Sequence, residues 1–246
     1  FLFFAEGLGD FERDFRRRRF WRLDKPAYDV CFVMGVYDNP VRDGKTSPFE
    51  DAAEPLTPAA CHFWIRWHAM QAMKEAGIPG CYRLTSRANR ALEDGRTVCG
   101  NLNRREFSRR ISAGRITAVC TFPHALFPWK ASESFALGRP ILIEQAPLTE
   151  TPAPFLPKAG EHFLEWLPGA SGFDAAAPLD DPASYRVLAR IPLARFRERA
   201  EWLRGVLADR ERLAEMGAAC REFAARAYAP QTVADYICAE TEKRIG

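Results

Sequence analysis

Lys130, Ser132 and Glu133 lie within four residues of one another and combine a cation, a hydroxyl group and a carboxylate. A carboxylate can accept hydrogen bonds from two adjacent hydroxyl groups, such as those of a ribose, and charge-assisted bonds of this kind are strong. A lysine and the backbone N–H groups at a helix N terminus can stabilise a diphosphate. These residue types indicate a nucleotide site. The alternative is that Glu133 only stabilises the helix dipole and that Lys130 is a surface cation.

The segments around these side chains predict a strand, a loop, a short helix and a second strand. Residues 115–120 (RITAVC) are rich in β-branched side chains and predict a buried strand. Residues 130–137 predict a helix that ends at Gly138, and residues 141–145 (ILIEQ) predict the next strand. Such units belong to parallel sheets, whose ligands bind where loops leave the carboxyl ends of the strands. We therefore expect the three side chains at that edge of the sheet.

The eight residues that begin at Glu133 (ESFALGRP) resemble the Glu-x4-Gly-x-Pro pattern of GT-B glycosyltransferases of the "glycosyl transferases group 1" type. In that family the glutamate accepts hydrogen bonds from the ribose of a nucleotide-sugar donor. The resemblance implies donor-binding roles for Glu133 and Gly138, with Lys130 and Ser132 close to the diphosphate. Many members carry a second glutamate eight residues before the first, and this chain has Ala125 at that position.

Two other stretches are similar to the same family. Residues 28–37 (YDVCFVMGVY) predict a continuous apolar strand, and the family's nucleotide-binding domain commonly opens on a YDVxFVG strand. The segment LADRERLAEMGAACREF, near the C terminus, resembles the helical tails that close the second domain of these enzymes. Residues 80–85 predict a second strand, and Arg87, just beyond its end, is a further cation that we assign to the donor diphosphate.

Three parts of the chain are predicted to differ in role. Residues 1–27, which contain no Met, are expected to be the remnant of an upstream domain or a linker. Residues 28–181 are expected to form a Rossmann-like nucleotide-sugar-binding domain, with helices at 57–76 and 103–113 between its strands. Residues 182–246 predict helices throughout, which pack on that domain as a C-terminal tail. The predicted fold is α/β, a Rossmann-like parallel sheet with flanking helices and a helical tail, as in the C-terminal half of the GT-B architecture.

Composition limits the partners and cofactors. The net charge of +3 over 246 residues is too small to predict a nucleic-acid partner, and no apolar run is long enough to cross a bilayer. Residues 16–19 (RRRR) permit contact with a membrane surface, but we favour a solvated helical face. The seven widely spaced cysteines, with no CxxC pair, indicate reduced thiols in a cytoplasmic protein. Because the chain has no Asp-x-Asp loop, we expect a metal-independent site and no cofactor.

The resemblance implies a glycosyltransferase that takes a sugar from a nucleotide-sugar donor, such as a UDP-sugar, with this chain as the donor-binding half. Its acceptor is a glycan, a lipid or a protein. We assign no catalytic residue, because the general base of GT-B enzymes usually comes from the amino-terminal domain. Two alternatives stay open: a nucleotide-sugar 2-epimerase-like isomerase, and a non-catalytic GT-B-like interaction domain, which Ala125 favours.

Overall fold

The computed structural model describes residues 26–35, 58–86, 90–91, 97–100, 102–119, 129–144, 155–167 and 191–245. Within these ranges the chain forms a seven-stranded sheet and six helices. The predictions for Arg87, Ala125 and residues 16–19 fall outside the described residues.

The sheet is parallel except at one edge. Its strands, in chain order, are β1 (Tyr28–Gly35), β2 (Gly80–Ser86), β3 (Arg90–Ala91), β4 (Thr97–Gly100), β5 (Gly114–Ala118), β6 (Ile141–Ile143) and β7 (Phe163–Glu165). They are arranged β3-β4-β2-β1-β5-β6-β7. Only β3 runs antiparallel to its neighbour, β4.

The six parallel strands have the strand order of the Rossmann fold. Numbered along the chain without β3, they lie in the order 3-2-1-4-5-6, which is the order of dinucleotide-binding sheets. The predicted fold class, an α/β Rossmann-like parallel sheet with flanking helices and a helical C-terminal region, is therefore confirmed. The strand order reverses between β1 and β5, and in such sheets ligands bind outside the carboxyl ends of the strands at that point.

The helices are α1 (Pro58–Glu75), α2 (Arg104–Ala113), α3 (Trp129–Ala136), α4 (Leu193–Ala208), α5 (Arg210–Ala227) and α6 (Pro230–Ile245). Their ends have local causes in the sequence. Asn103 and Asp209 cap α2 and α5, because each side-chain oxygen accepts a hydrogen bond from the N–H three residues later. Gly77 and Gly138, with φ of 69° and 66°, follow α1 and α3 in the left-handed conformation that ends many helices.

Both faces of the sheet are covered, which explains why its strands are almost uniformly apolar. Because successive side chains point to opposite faces, Phe32 and Met34 of β1 join a core with α1, α4 and the start of α5, whereas Cys31 and Val33 pack with α2. A third cluster joins β6 to α3 and α5. The C-terminal helices α4 and α5 thus share their apolar cores with the sheet.

Three details differ from the sequence prediction. The strands β3 and β4 were not predicted, because two and four residues are too few to show an apolar period. Strand β6 ends at Ile143, so Glu144, which was predicted to belong to it, lies outside the strand, and Gln145 falls outside the described residues. Residues 182–246 are not helical throughout: Ile191 and Pro192 are extended or irregular, and α4 begins at Leu193, with Pro192 before it at a φ of −62° and a ψ of 141°.

Candidate functional site

Two cations reach the carboxyl end of β1 from opposite faces of the sheet. Lys130, at the start of α3, donates a hydrogen bond from Nζ to the carbonyl oxygen of Val33. Arg66, in α1, donates from Nη1 to the carbonyl oxygen of Gly35. Lys130 Nζ also lies 5.4 Å from the centroid of the Phe107 ring, a cation–π distance. Positive charge is therefore concentrated where the strand order reverses.

Ser132 and Glu133 are the fourth and fifth of the eight residues of α3. Their exposed fractions are 8% and 5%, so the carboxylate of Glu133 is largely removed from bulk water. The neighbouring hydroxyl group of Ser134 donates to the carbonyl oxygen of Lys130 at 2.9 Å, a bond within the helix that does not face the edge. Glu133 lies beyond the first turn of α3, where the effect of the helix dipole is small. The burial of its carboxylate is compatible both with a structural role and with a ribose site.

Glu133 lies one turn from Lys130 on α3, whereas Ser132, two residues from Lys130, does not share its face of the helix, and Gly138 lies beyond the end of the helix. Gly138 follows the C-terminal end of α3, about 12 Å along the helix from Lys130 at 1.5 Å per residue. Its N–H donates to Phe135 and the next N–H donates to Ser134, at 2.9 and 2.8 Å. These two bonds form a Schellman motif, which requires a residue with positive φ. The position of Gly138 therefore favours helix termination over the predicted donor contact.

Two charged residues at this edge were missed by the sequence analysis, Arg66 and Glu144. Both are 8% exposed, and Glu144 follows the last residue of β6 directly. The edge therefore has two buried carboxylates, Glu133 and Glu144, together with its two cations. Each of these residues could have been found in the sequence as a charged residue within an apolar pattern. Arg66 interrupts the apolar stripe of α1, and Glu144 interrupts an apolar strand.

A small cavity lies beneath the edge, between α1 and the carboxyl ends of β1, β5 and β6. Arg66, Glu144 and Trp166 line it together with apolar side chains that include Phe32 and Met34. Its volume of about 20 Å³ suits a single water molecule. A nucleotide would have to lie over the edge of the sheet, because this cavity cannot contain it.

The arrangement can attract and orient an anion. Lysine and arginine side chains provide charge-assisted donors to phosphate oxygens, and the N terminus of α3 points toward the same region. Among the described residues no three His, Cys, Asp or Glu side chains come together to hold a metal ion. The prediction of a metal-independent site stays a prediction, as does the role of Arg87.

No described helix is long and apolar enough to span a membrane. No protein-family model matches the chain, and no curated protein matches it either.

Proposed function

We propose that this chain binds a nucleotide-sugar donor at the carboxyl edge of β1 and β5, as the donor-binding half of a metal-independent glycosyltransferase of the GT-B type. The observation that supports this proposal most is the meeting of Lys130 and Arg66 at the end of β1, where the strand order reverses. The acceptor is a glycan, a lipid or a protein, and no residue of the chain is assigned as the general base.

The fold and the charges favour a diphosphate over other anions. Rossmann-type sheets bind nucleotides at this position because backbone N–H groups and helix N termini converge there. A diphosphate leaving group develops negative charge, which cations fixed before the reaction can stabilise without a metal ion. Lys130 and Arg66 are fixed in this way, since each is held by a carbonyl oxygen of β1.

Glu133 is the proposed partner of the donor ribose. It lies one turn of helix from Lys130, so a diphosphate near the lysine would leave the adjoining ribose within reach of the carboxylate. The sequence ESFALGRP, which resembles the family pattern, places a glutamate at this position of the helix. The acidic residue Glu144 at the neighbouring strand end is compatible with an epimerase, but the chain has no histidine among the described residues of this edge.

A second candidate function is a non-catalytic interaction domain. The observation that favours it is that both cations hydrogen-bond to the backbone of β1 and that Ser132 and Glu133 are buried. Under this hypothesis the polar residues of the edge only stabilise the ends of β1 and α3, and no nucleotide binds.

Thermal unfolding with added nucleotides separates the two candidates. We expect at least one of UDP, GDP, CDP and dTDP to raise the midpoint of unfolding, by the equivalent of about 2.7 kcal/mol at a ligand concentration of about 100 times Kd. The matching nucleoside and inorganic pyrophosphate should each raise the midpoint less, because each offers only part of the ligand. EDTA should leave the shift unchanged.

Two results would count against the proposal. If none of the four nucleotides changes the midpoint, the chain is not a donor-binding domain and the interaction domain becomes the better description. If EDTA removes a shift that magnesium restores, the chain binds nucleotide but the metal-independent mechanism is wrong.

A further inference from the structure

Strands β1 and β2 bring two free cysteines side by side. Cys31 and Cys81 are directly paired in the register of the two parallel strands, so both side chains point to the same face of the sheet, the face covered by α2. Neighbouring strands lie about 4.8 Å apart. This separation is within the range of about 4.4–6.8 Å between the Cα atoms of a disulfide. The two thiols are therefore close enough to be joined.

Arg110 distinguishes Cys81 from the other described cysteines. Its Nη1 donates a hydrogen bond to Cys81 Sγ at 3.3 Å. The hydroxyl group of Tyr28 donates to the backbone oxygen of Arg110 at 2.5 Å, which holds this part of α2 against the strands. A guanidinium stabilises a thiolate more than a thiol, because the hydrogen bond to an anion is charge-assisted. Thiolates are the reactive form of cysteine.

The two thiols differ in exposure in a way that suggests separate roles. Cys81 is half-buried, whereas Cys31 is fully buried. Burial, with a smaller contribution from Cys81, raises the pKa of Cys31 to about 12, although the neighbouring Lys130 and Arg110 act in the opposite direction. Burial lowers the pKa of Arg110, but its hydrogen bond to Cys81 and the charges around it raise that pKa overall. Arg110 thus donates its hydrogen bond to Cys81, whereas burial keeps Cys31 a neutral thiol.

We propose that Cys81 and Cys31 form an oxidisable dithiol that reacts with hydroperoxides. The Cys81 thiolate attacks the terminal oxygen of the hydroperoxide, the O–O bond breaks, and a sulfenic acid forms. The other oxygen leaves as an alkoxide, or as hydroxide from hydrogen peroxide, and takes a proton from water. Cys31 then attacks the Cys81 sulfur. The S–O bond breaks, and the thiol proton of Cys31 leaves with the hydroxyl group as water. The dithiol loses two electrons to the hydroperoxide.

Cys238 and Cys220 provide internal comparisons. Cys238 is exposed on α6, so it should react first if exposure alone sets the rate. Cys220 is buried in the core around α5, and burial raises its pKa to about 12. We expect Cys81 to be oxidised before either of them, because Arg110 donates a hydrogen bond to its sulfur.

The test is oxidation of the whole chain with a limiting amount of hydrogen peroxide, followed by mass spectrometry of the peptides under native-thiol trapping. The expected product is a disulfide between Cys31 and Cys81, formed before oxidation of Cys238. Cys31→Ala should instead accumulate a sulfenic acid on Cys81 that a cyclic 1,3-diketone traps. This second readout does not require the disulfide, and it identifies which sulfur reacts first.

Arg110→Gln should slow the oxidation of Cys81 roughly fivefold, because a neutral hydrogen bond replaces a charge-assisted one. Arg110→Lys should restore part of the rate. Arg109→Gln is the matched control: Arg109 is an exposed residue of the same helix with no contact to Cys81 among the described ones, and its replacement should leave the rate unchanged. Preferential oxidation of Cys238, a disulfide that joins other cysteines, or equal rates for Arg110→Gln and Arg109→Gln would each overturn the proposal.

Discussion

The two ends of α3 differ in what their residues contact. At the N-terminal end, Lys130 reaches across to β1, and Ser132 and Glu133 are buried polar groups beside it. At the C-terminal end, the contacts serve packing: a Cβ on Gly138 would lie 2.1 Å from Arg221 Nη1, and a Cβ on Gly217 of α5 would lie 2.7 Å from the carbonyl oxygen of Gly138. The N-terminal end of α3 therefore carries polar side chains, and its C-terminal end packs closely against α5.

This difference gives separate physical reasons for the glutamate and the glycine of the ESFALGRP segment. The glycine of the ESFALGRP segment is explained without any ligand, because the Schellman motif requires a residue with positive φ at that position. Glu133 has no such steric explanation. Gly138 is therefore evidence for the fold alone. Within this pattern, only Glu133 is evidence for a nucleotide site.

Gly217→Ala should produce the largest loss of stability. The new methyl group would meet the backbone of Gly138, which cannot move aside like a flexible side chain, and overpacking of this kind costs about 1–3 kcal/mol. Chemical denaturation monitored by circular dichroism measures the free energy of unfolding.

Gly205→Ala is the matched control for that substitution. Gly205 also lies inside a helix, α4, but nothing is within 4 Å of its added Cβ. Alanine should therefore increase the free energy of unfolding by up to about 1 kcal/mol through its higher helix propensity. Equal effects at the two glycines would contradict the close packing of α5 on the end of α3.

Lys130→Met tests the polar contacts at the N-terminal end of α3. Methionine keeps the length of the side chain but removes the hydrogen bond to Val33, and we expect a loss of about 1–3 kcal/mol in the free energy of unfolding because a backbone acceptor loses its charged donor. If the nucleotide site is correct, the affinity for the nucleotide falls as well.

Lys158→Met is the control for Lys130. Its ammonium group is 3.4 Å from Glu161, but the side chain is 73% exposed, so its loss should change stability by less than about 1 kcal/mol and leave nucleotide affinity unchanged. A similar stability loss for both lysines would mean that the hydrogen bond to β1 contributes little.

Much of the fold could be predicted because its causes are local. Apolar and β-branched runs marked β1, β2 and β5. Asn103, predicted as the first residue of a helix over 103–113, is the residue that caps α2 in the structure. The short strands β3 and β4 could not be predicted, because their pairing depends on β2 and not on their own few residues.

Only the local part of the candidate site was predictable. Lys130 and Glu133 are three residues apart, so a helix places them one turn from each other on the same face. Arg66 and Glu144 join them through the sheet order and the packing of α1, which no local pattern contains. Gly138 was assigned to the donor because it belongs to the same pattern, but a helix separates it from the edge.

The smallest expected effect is a pH dependence at the side of α3 that faces α5. His162 is buried against Phe135 and Phe223, and burial lowers its pKa despite the nearby Glu161. The unfolded chain then binds more protons than the folded chain as the pH falls through about 6.5, the ordinary histidine value. The free energy of unfolding should therefore be highest above that pH and decrease on acidification through the lowered pKa.

Denaturation curves between about pH 5 and 8 measure this dependence. His162→Gln should remove the contribution of this histidine to the slope of the free energy of unfolding against pH. His68→Gln, on α1, should leave that contribution unchanged. If His162→Gln retains the full slope, other groups are responsible for it.

The most direct test of the nucleotide site is a calorimetric titration of Glu133 variants with the nucleoside diphosphate that stabilises the chain and with its 2′-deoxy form. Glu133→Ala should weaken binding of the ribonucleotide by about ten- to a hundredfold, the loss of a charged hydrogen bond of about 1.5–3 kcal/mol, and Glu133→Gln should lie between. The deoxynucleotide should bind the unaltered chain more weakly, and its affinity should be less sensitive to Glu133→Ala.

Glu106→Ala, which removes an exposed carboxylate from the first turn of α2, should leave both affinities unchanged. Unchanged affinity for both nucleotides in Glu133→Ala would contradict the account, because Glu133 would then only stabilise its helix.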